Sequence, residues 1–395
     1  MATVRDVLVV GAGAAGLALA ARLLEAGLDV AVWERRPSPA ALSRAIGIHA
    51  PALEALPTEV SERITAEAVL VRHGIARTRR RVLGVVPFDR VSTRFPFVAT
   101  LPQARTEEIL AARVAALDPA AVRRGVSLTS LVQGREAVSV TGTVPGDGDG
   151  DGDGGDGGSI EETARFVVAA DGARSPVREL LGITAPVHHH PDTYVMGDFP
   201  DDGDAGPDAV IHLEHAGVVE SFPLPGGLRR WVVHTPDLVT GPSADLVAGL
   251  VAERTGIHVD ATDARMLSAF AVRRRLAART VRGRVVLLGD AAHEISPIGG
   301  QGMNLGWLDG ARLAPILVAA VRSSGADDAA PALASWDATR RRRARWAARQ
   351  GELNMALGRP VGGASALARD ALLVAALRSP ARRGLAYVYA MRHLR

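Results

Sequence analysis

Four runs of mostly apolar residues, at 4–10, 30–33, 166–170 and 285–288, each close on a glycine or an acid. Such runs suit parallel strands covered on both faces. Helical spacing follows the first run at 17–26 and returns at 308–321, and a further helix is predicted to begin near Gly302. Strand, helix and strand in alternation predict a parallel sheet. The texture changes over 184–266. Three strand candidates there, 209–213, 218–222 and 228–235, are separated by Gly/Pro turns, among them the hairpin signal Pro225-Gly226-Gly227. They predict an antiparallel sheet inserted between strands of the parallel one. Further strands are predicted at 126–132 and 137–143, with two short strand-like runs in 77–98. A helix opens at Leu101, with Pro102 near its start. Residues 43–56 read as partly helical, 334–350 as a helix, and 364–395 as a basic helical tail covering the two domains.

Composition narrows the chemistry. The chain has 395 residues, 47% of them hydrophobic, which is ample for two domains. It contains no cysteine, so disulfides, thiolate redox chemistry and cysteine-held metals are excluded. There is no lysine either; all 46 basic residues are arginine, and the net charge is only +3. No apolar run is long enough to span a bilayer. The start of the chain leads straight into a strand without a secretory signal, so the expected location is the cytoplasm. No nucleic-acid-binding motif is present. Residues 146–158 are almost pure Asp and Gly and are expected to form a flexible acidic hairpin tip. The triplet His188-His189-His190 reads as a polar loop. No metal site is expected there, because three adjacent side chains on an extended chain cannot all face one ion. The arginines at 79–81 and 340–343 read as solvated faces.

Candidate chemistry gathers at the strand ends. Gly11-Ala12-Gly13-Ala14-Ala15-Gly16 stands between a strand and a helix, and Glu34 closes the next strand. This is a dinucleotide fingerprint in its required context. Gly11 makes the turn, Gly13 admits a pyrophosphate, Gly16 allows close helix–strand packing, and Glu34 accepts from a ribose. Asp171 stands at a second strand end, in Asp171-Gly172-Ala173-Arg174-Ser175-Pro176. Asp290 stands at a third, in the stretch GDAAHEISPIGGQGMNLG. An acid there can accept from ligand hydroxyls. The following glycines let backbone approach a flat ligand, and the helix amides beyond favour an anion such as a reduced flavin.

These three motifs, in this order, resemble the para-hydroxybenzoate hydroxylase-like class of single-component FAD monooxygenases, over residues 1 to about 350. The resemblance implies an α/β fold: a Rossmann-type FAD-binding domain (1–73, 98–182 and 266–350), an inserted, mostly antiparallel β-sheet substrate domain (74–97 and 183–265) and a C-terminal helical segment (351–395). It implies that Gly11, Gly13, Ala14, Ala15, Gly16, Glu34 and Arg35 hold the ADP half of FAD. Arg44 would lie near the pyrophosphate and the passing NADPH or NADH. Gln103, with Arg105 as a neighbour of similar reach, would support the FAD chain, and Asp171 would serve both nucleotides. Asp290 would bind the ribityl hydroxyls, Pro297 would lie beside the isoalloxazine, and Gly300, Gly302, Met303 and Asn304 would follow its pyrimidine edge. The family usually has Phe after that proline; here it is Ile298.

The activity implied is hydroxylation or epoxidation of an aromatic or polyketide-like molecule. NADPH or NADH is the electron donor, and molecular oxygen adds to the reduced flavin. The setting would be secondary metabolism or aromatic catabolism, and the enzyme a monomer or homodimer. No protein acid or base is assigned; His212, Glu214, His215, Glu220 and His234 are candidates, although alternation sends about half of a strand's side chains to solvent. A flavin halogenase is disfavoured by the missing lysine, a disulfide reductase by the missing cysteines. The alternative from another class is a protein that keeps FAD while catalysing a non-redox step such as a cyclisation.

Overall fold

The computed structural model describes residues 4–39, 45–144, 158–201, 206–323 and 329–394. Among them, two eight-stranded sheets organise the chain. The first sheet runs, in spatial order, Val281–Arg282, Val285–Leu287, Ser159–Ala169, Arg5–Val10, Val30–Glu34 and Val122–Arg124. From Val285–Leu287 to Val122–Arg124 the neighbours pair in parallel. One register row across it is Val32, Val9, Val168 and Val286, all fully buried, as strands covered on both faces require. Ser127–Gln133 and Val138–Thr143 extend it as an antiparallel flap. The Asp/Gly stretch at 146–158 lies outside the described residues except for Gly158. The strands on either side of it pair, Thr143 opposite Ser159.

The second sheet is mostly antiparallel, in the order His293–Glu294, Met266–Leu276, Val187–Pro200, Leu228–Thr235, Gly217–Leu224, Ala209–Glu214, His73–Arg77 and Val82–Pro87. The three strands expected at 209–235 are present, and Leu224 faces Leu228 across the Pro225-Gly226-Gly227 turn. The histidine triplet is not a loop. It lies in Val187–Pro200, where His188 pairs with Arg274 and His189 with Arg273. This end of the strand projects beyond the core, so its side chains are polar and carry no hydrophobic alternation. The rings of His188 and His190 meet edge to face at 4.7 Å, on the same side of the strand as alternation requires.

The expectation that half of this sheet's side chains meet solvent also fails. Helix Ala244–Thr255 is capped by Ser243, whose Oγ accepts from the Leu246 amide, and ends at Gly256 in the left-handed region. It lays Val247 and Val251 over Val219, Trp231 and Val233. The sheet's opposite face lines a cavity.

Helix Gln301–Arg322 packs on helix Ala14–Glu25. Contact is close because the crossing residues are small: a side chain on Gly306 would lie 3.3 Å from Ala15 Cβ. Trp307 Nε1 donates to the Ala14 carbonyl at 2.9 Å across the same crossing. Helix Ala330–Gly358 is continuous, and Gly363–Arg378 and Ala381–Tyr389 follow. Arg340 does not belong to a solvated face. It is buried and reaches Asp309 Oδ1 at 3.3 Å, because the long helix packs behind Gln301–Arg322 and brings that side chain inward. No helix among the described residues is long and apolar enough to cross a membrane.

Candidate cofactor and substrate site

The carboxyl ends of four adjacent strands of the parallel sheet open into one cavity of about 960 Å3. This is the top of the range of roughly 300–1,000 Å3 that small-molecule sites span. Its lining includes Gly11, Gly13, Ala14, Ala15, Glu34 and Arg35 from the first unit, Asp171 and Gly172 from the second, and Asp290, Pro297, Gly300, Gly302 and Met303 from the third. Gln103 lines it as well. Arg105 turns elsewhere, to Glu67 at 2.6 Å and Glu108 at 2.6 Å. Arg44 lies outside the described residues.

The first loop is shaped by what its glycines omit. Gly11 has φ +110°, and a side chain there would strike the Ala170 carbonyl. A side chain on Gly16 would overlap the Gly11 carbonyl, so the helix can approach the strand only as glycine. Gly13 differs: its missing Cβ faces open space, with the nearest atom, Glu107 Oε1, 3.8 Å away. That is room left for a ligand rather than for packing.

Glu34 is buried, its Oε2 accepting from the Ala12 amide at 2.8 Å and its Oε1 from Arg36 Nε at 2.9 Å. Burial opposes its ionisation, but the bonds from Arg36 and Ala12 prevail and hold its pKa below the usual value. Arg36, not Arg35, is therefore the partner that fixes this acid; Arg35 lies exposed at the cavity's edge. Glu107 accepts from the Ala14 amide at 3.2 Å and from Gln103 Nε2 at 2.7 Å.

Asp171 accepts from the Val177 amide through Oδ2, while its buried Oδ1 has no partner among the described residues. Burial raises its pKa. Asp290 is exposed to the cavity, and the protein crowded around its carboxyl raises its pKa against the opposing pull of His293. The amide of Gln301 is buried with neither Nε2 nor Oε1 satisfied among the described residues.

Asn304 does not line the cavity but builds its wall. Its Oδ1 accepts from the His49 amide at 2.8 Å, and its Nδ2 donates to the carbonyls of Gly47 and Gly300. His49 Nε2 sits 3.1 Å from the Gly299 carbonyl, and burial pushes the imidazole down to about 4, so it is neutral. Tyr389, from the last long helix, meets His49 edge-on at 5.7 Å and stacks on Phe88 at 5.8 Å. His49, Glu107 and Tyr389 carry no motif signal. Glu107 alone was within reach of sequence reasoning, four residues after Gln103 on one helix face.

The far wall is the antiparallel sheet. Of the five acid–base candidates only Glu220 lines the cavity. His212 points to the opposite face, near Trp231, where burial lowers it to about 4. Glu214 accepts from the Arg79 amide, His215 contacts the Val361 carbonyl at 3.0 Å, and His234 lies 3.7 Å from Asp192. Ile298 is buried and keeps the wall apolar at its position.

A cradle with these features suits an FAD. It has an open glycine with room for a pyrophosphate, a buried acid able to accept from a ribose, and unsatisfied polar atoms at Asp171 and His49. The chain matches the family described as FAD binding domain over residues 5–350 and belongs to it. It is 34% identical over 327 residues to 12-dehydrotetracycline 5-monooxygenase/anhydrotetracycline 6-monooxygenase of Streptomyces rimosus, a match covering 78% of this chain and 61% of that protein. The chain thus spans about three-fifths of the length of that relative. Among solved structures, p-nitrophenol 4-monooxygenase PnpA from Pseudomonas putida DLL-E4 superposes with TM-score 0.86, covering 98% of both chains at 24% identity, and shows the fold. The Diels-Alderase PyrE3 superposes with TM-score 0.76 at 26% identity, covering 97% of this chain and 80% of the other.

Proposed function

We propose that this chain is an FAD-dependent, NAD(P)H-driven monooxygenase of the cytoplasm that acts on an aromatic or polyketide-like small molecule. The observation that carries the reading is a single cavity bounded on one side by the ends of four parallel strands, with the glycine turn and the acids at 34, 171 and 290, and on the other by a mostly apolar sheet. In this reading Gly11 to Gly16, Glu34 and Arg35 hold the ADP portion, Gln103 and Asp171 the connecting chain, and Asp290 the ribityl hydroxyls. Pro297, Gly300, Gly302 and Met303 flank the ring, with Asn304 bracing the loop they belong to. When bound, FAD supplies hydride acceptance from NADPH or NADH and activation of oxygen.

The protein's part is to bind, orient and keep water out. The amides opening helix Gln301–Arg322 place partial positive charge where an electron-rich ring needs it. No acidic residue stands in the first turn of that helix to cancel it. Met196, Ile211, Phe222, Val232 and Phe270 make the opposite wall apolar. Such a wall excludes water that would divert the oxidant.

The test is to purify the protein, record its flavin spectrum and add NADPH without oxygen, with and without candidate phenols. Bleaching, followed by oxygen uptake coupled to product, supports the reading. A colourless protein that takes up no FAD overturns it. The likeness to PyrE3 favours a second reading, in which flavin is retained for a non-redox cyclisation; a bound flavin that neither NADPH nor NADH bleaches, with substrate present, would select it.

A further inference from the structure

The register of the second sheet sorts its cavity-facing side chains into rows. One row reads Met266, Asp198, Arg230 and Phe222. The next reads Ser268, Met196, Val232, Glu220 and Ile211. A charged pair and a lone carboxyl thus stand on this face, and they are handled differently. Arg230 and Asp198 neutralise each other through a two-pronged contact at 2.6 and 2.8 Å. Glu220 is buried in the middle of its strand, directly flanked by Val232 and Ile211, and has no hydrogen-bond or ion-pair partner among the described residues.

An unpaired carboxyl in an apolar wall works against stability, and a Leu or Met would fill the place at lower cost. Its carboxyl faces the cavity, not the core behind the sheet. The surroundings are aromatic: Phe222 stands two residues on along the same strand, and Phe88, Phe270 and Tyr389 also line the space. Enclosure raises Glu220 to about 7, so both its accepting and its donating forms are present near neutral pH.

We propose that Glu220 is the specificity-determining group of the substrate cavity, hydrogen-bonding a ring hydroxyl of an aromatic substrate held between these side chains. This rests on the proposed function and assigns to one residue the recognition of a phenol over a ring without a free hydroxyl. A site built to bond a hydroxyl rejects an analogue that lacks it, because its own polar group is then left buried and unpaired.

The test uses the FAD-loaded protein and calorimetric titration with 1-naphthol and its methyl ether, 1-methoxynaphthalene, which need no turnover. The wild type should bind the naphthol about 10-fold or more tighter than the ether. E220M removes the polar atoms at nearly constant length and should erase that ratio while leaving the ether's affinity within about 3-fold. E220Q, which still bonds a hydroxyl, should keep most of the ratio. E220A gives the same comparison should E220M fail to fold. An unchanged ratio in the apolar variants, or no preference for the naphthol in the wild type, overturns the proposal. Failure of NADPH to bleach the flavin would overturn the redox reading instead, and this binding ratio would still read Glu220 by itself.

Discussion

Asp309 offers a sharp test of what holds the connection between Val285–Leu287 and helix Gln301–Arg322 in place. It is buried in helix Gln301–Arg322, its Oδ2 lies 2.7 Å from His293 Nε2, and its Oδ1 accepts from Arg340 Nη1 at 3.3 Å. Its backbone carbonyl accepts from Trp336 Nε1 at 3.2 Å. Both cations are buried as well. Burial works against a charged His293, but the bond and charge of Asp309 outweigh it, so its pKa is raised above the ordinary histidine value.

Asp309→Asn removes the anion and strands both cations. Breaking a buried pair in this way costs about 3–5 kcal/mol. The sign with pH follows from His293. A histidine whose folded pKa is raised contributes stability that is complete below its unfolded pKa of about 6.5 and is lost as pH rises through the folded value. The gap between wild type and variant should therefore be largest at pH 6 and narrow at pH 9, where His293 sheds its proton in both proteins and only Arg340 remains unpaired. Urea unfolding followed by tryptophan fluorescence, with Trp336 bonded to the mutated residue's carbonyl, measures it. FAD retention should fall too, because His293 lies three residues from Asp290 on the same short connection. A gap below about 1 kcal/mol at pH 6 would refute the reasoning, since that is the ordinary scale of a surface substitution.

Other outcomes follow from the same geometry. Asp290→Ala should lower FAD content on purification and weaken reconstitution by about 10-fold, the loss of one charge-assisted bond to a hydroxyl; unchanged flavin content would count against its assignment. Gly13→Val should yield folded protein without flavin, because the space it fills belongs to no protein atom; circular dichroism and the visible spectrum read the two parts separately. Glu220, raised from the ordinary value near 4.5 to about 7, should make the flavin-free protein lose about 3 kcal/mol of stability as pH climbs from below 4.5 through 7, since both states are protonated at the low end and only the unfolded chain ionises freely in between. Glu220→Gln should flatten that slope, and an equal slope in the variant would show that the carboxyl is not enclosed.

The loop at Gly11–Gly16 was legible because its demands are local. One position takes a backbone angle that side chains resist, another admits no Cβ, and both lie within a few residues of the strand that imposes them. The acids at 34, 171 and 290 were legible because a strand's end is visible in the chain's own polarity. What the chain did not announce is parity and partnership. His212 and Glu220 sit on paired neighbouring strands with the same composition around them, and one enters the cavity while the other faces a helix. A shift of one residue in register would exchange them, and register is fixed by the whole sheet. Arg340 was hidden in a run of like residues until the preceding helix, folded back against its own, offered it Asp309. The strand carrying His188–His190 was missed because its outer end packs against no core, so it carries no apolar rhythm.

Sequence alone therefore determined the strand ends that carry the glycine turn and the acids, and the parallel character of one sheet and the antiparallel character of the other, since backbone geometry and polarity at short range dictate them. Tertiary structure decided which side chains share the cavity, that Tyr389 and His49 close it, and that one carboxyl stands unpaired in its wall. Those are contacts between residues far apart in the chain, and only packing brings them together.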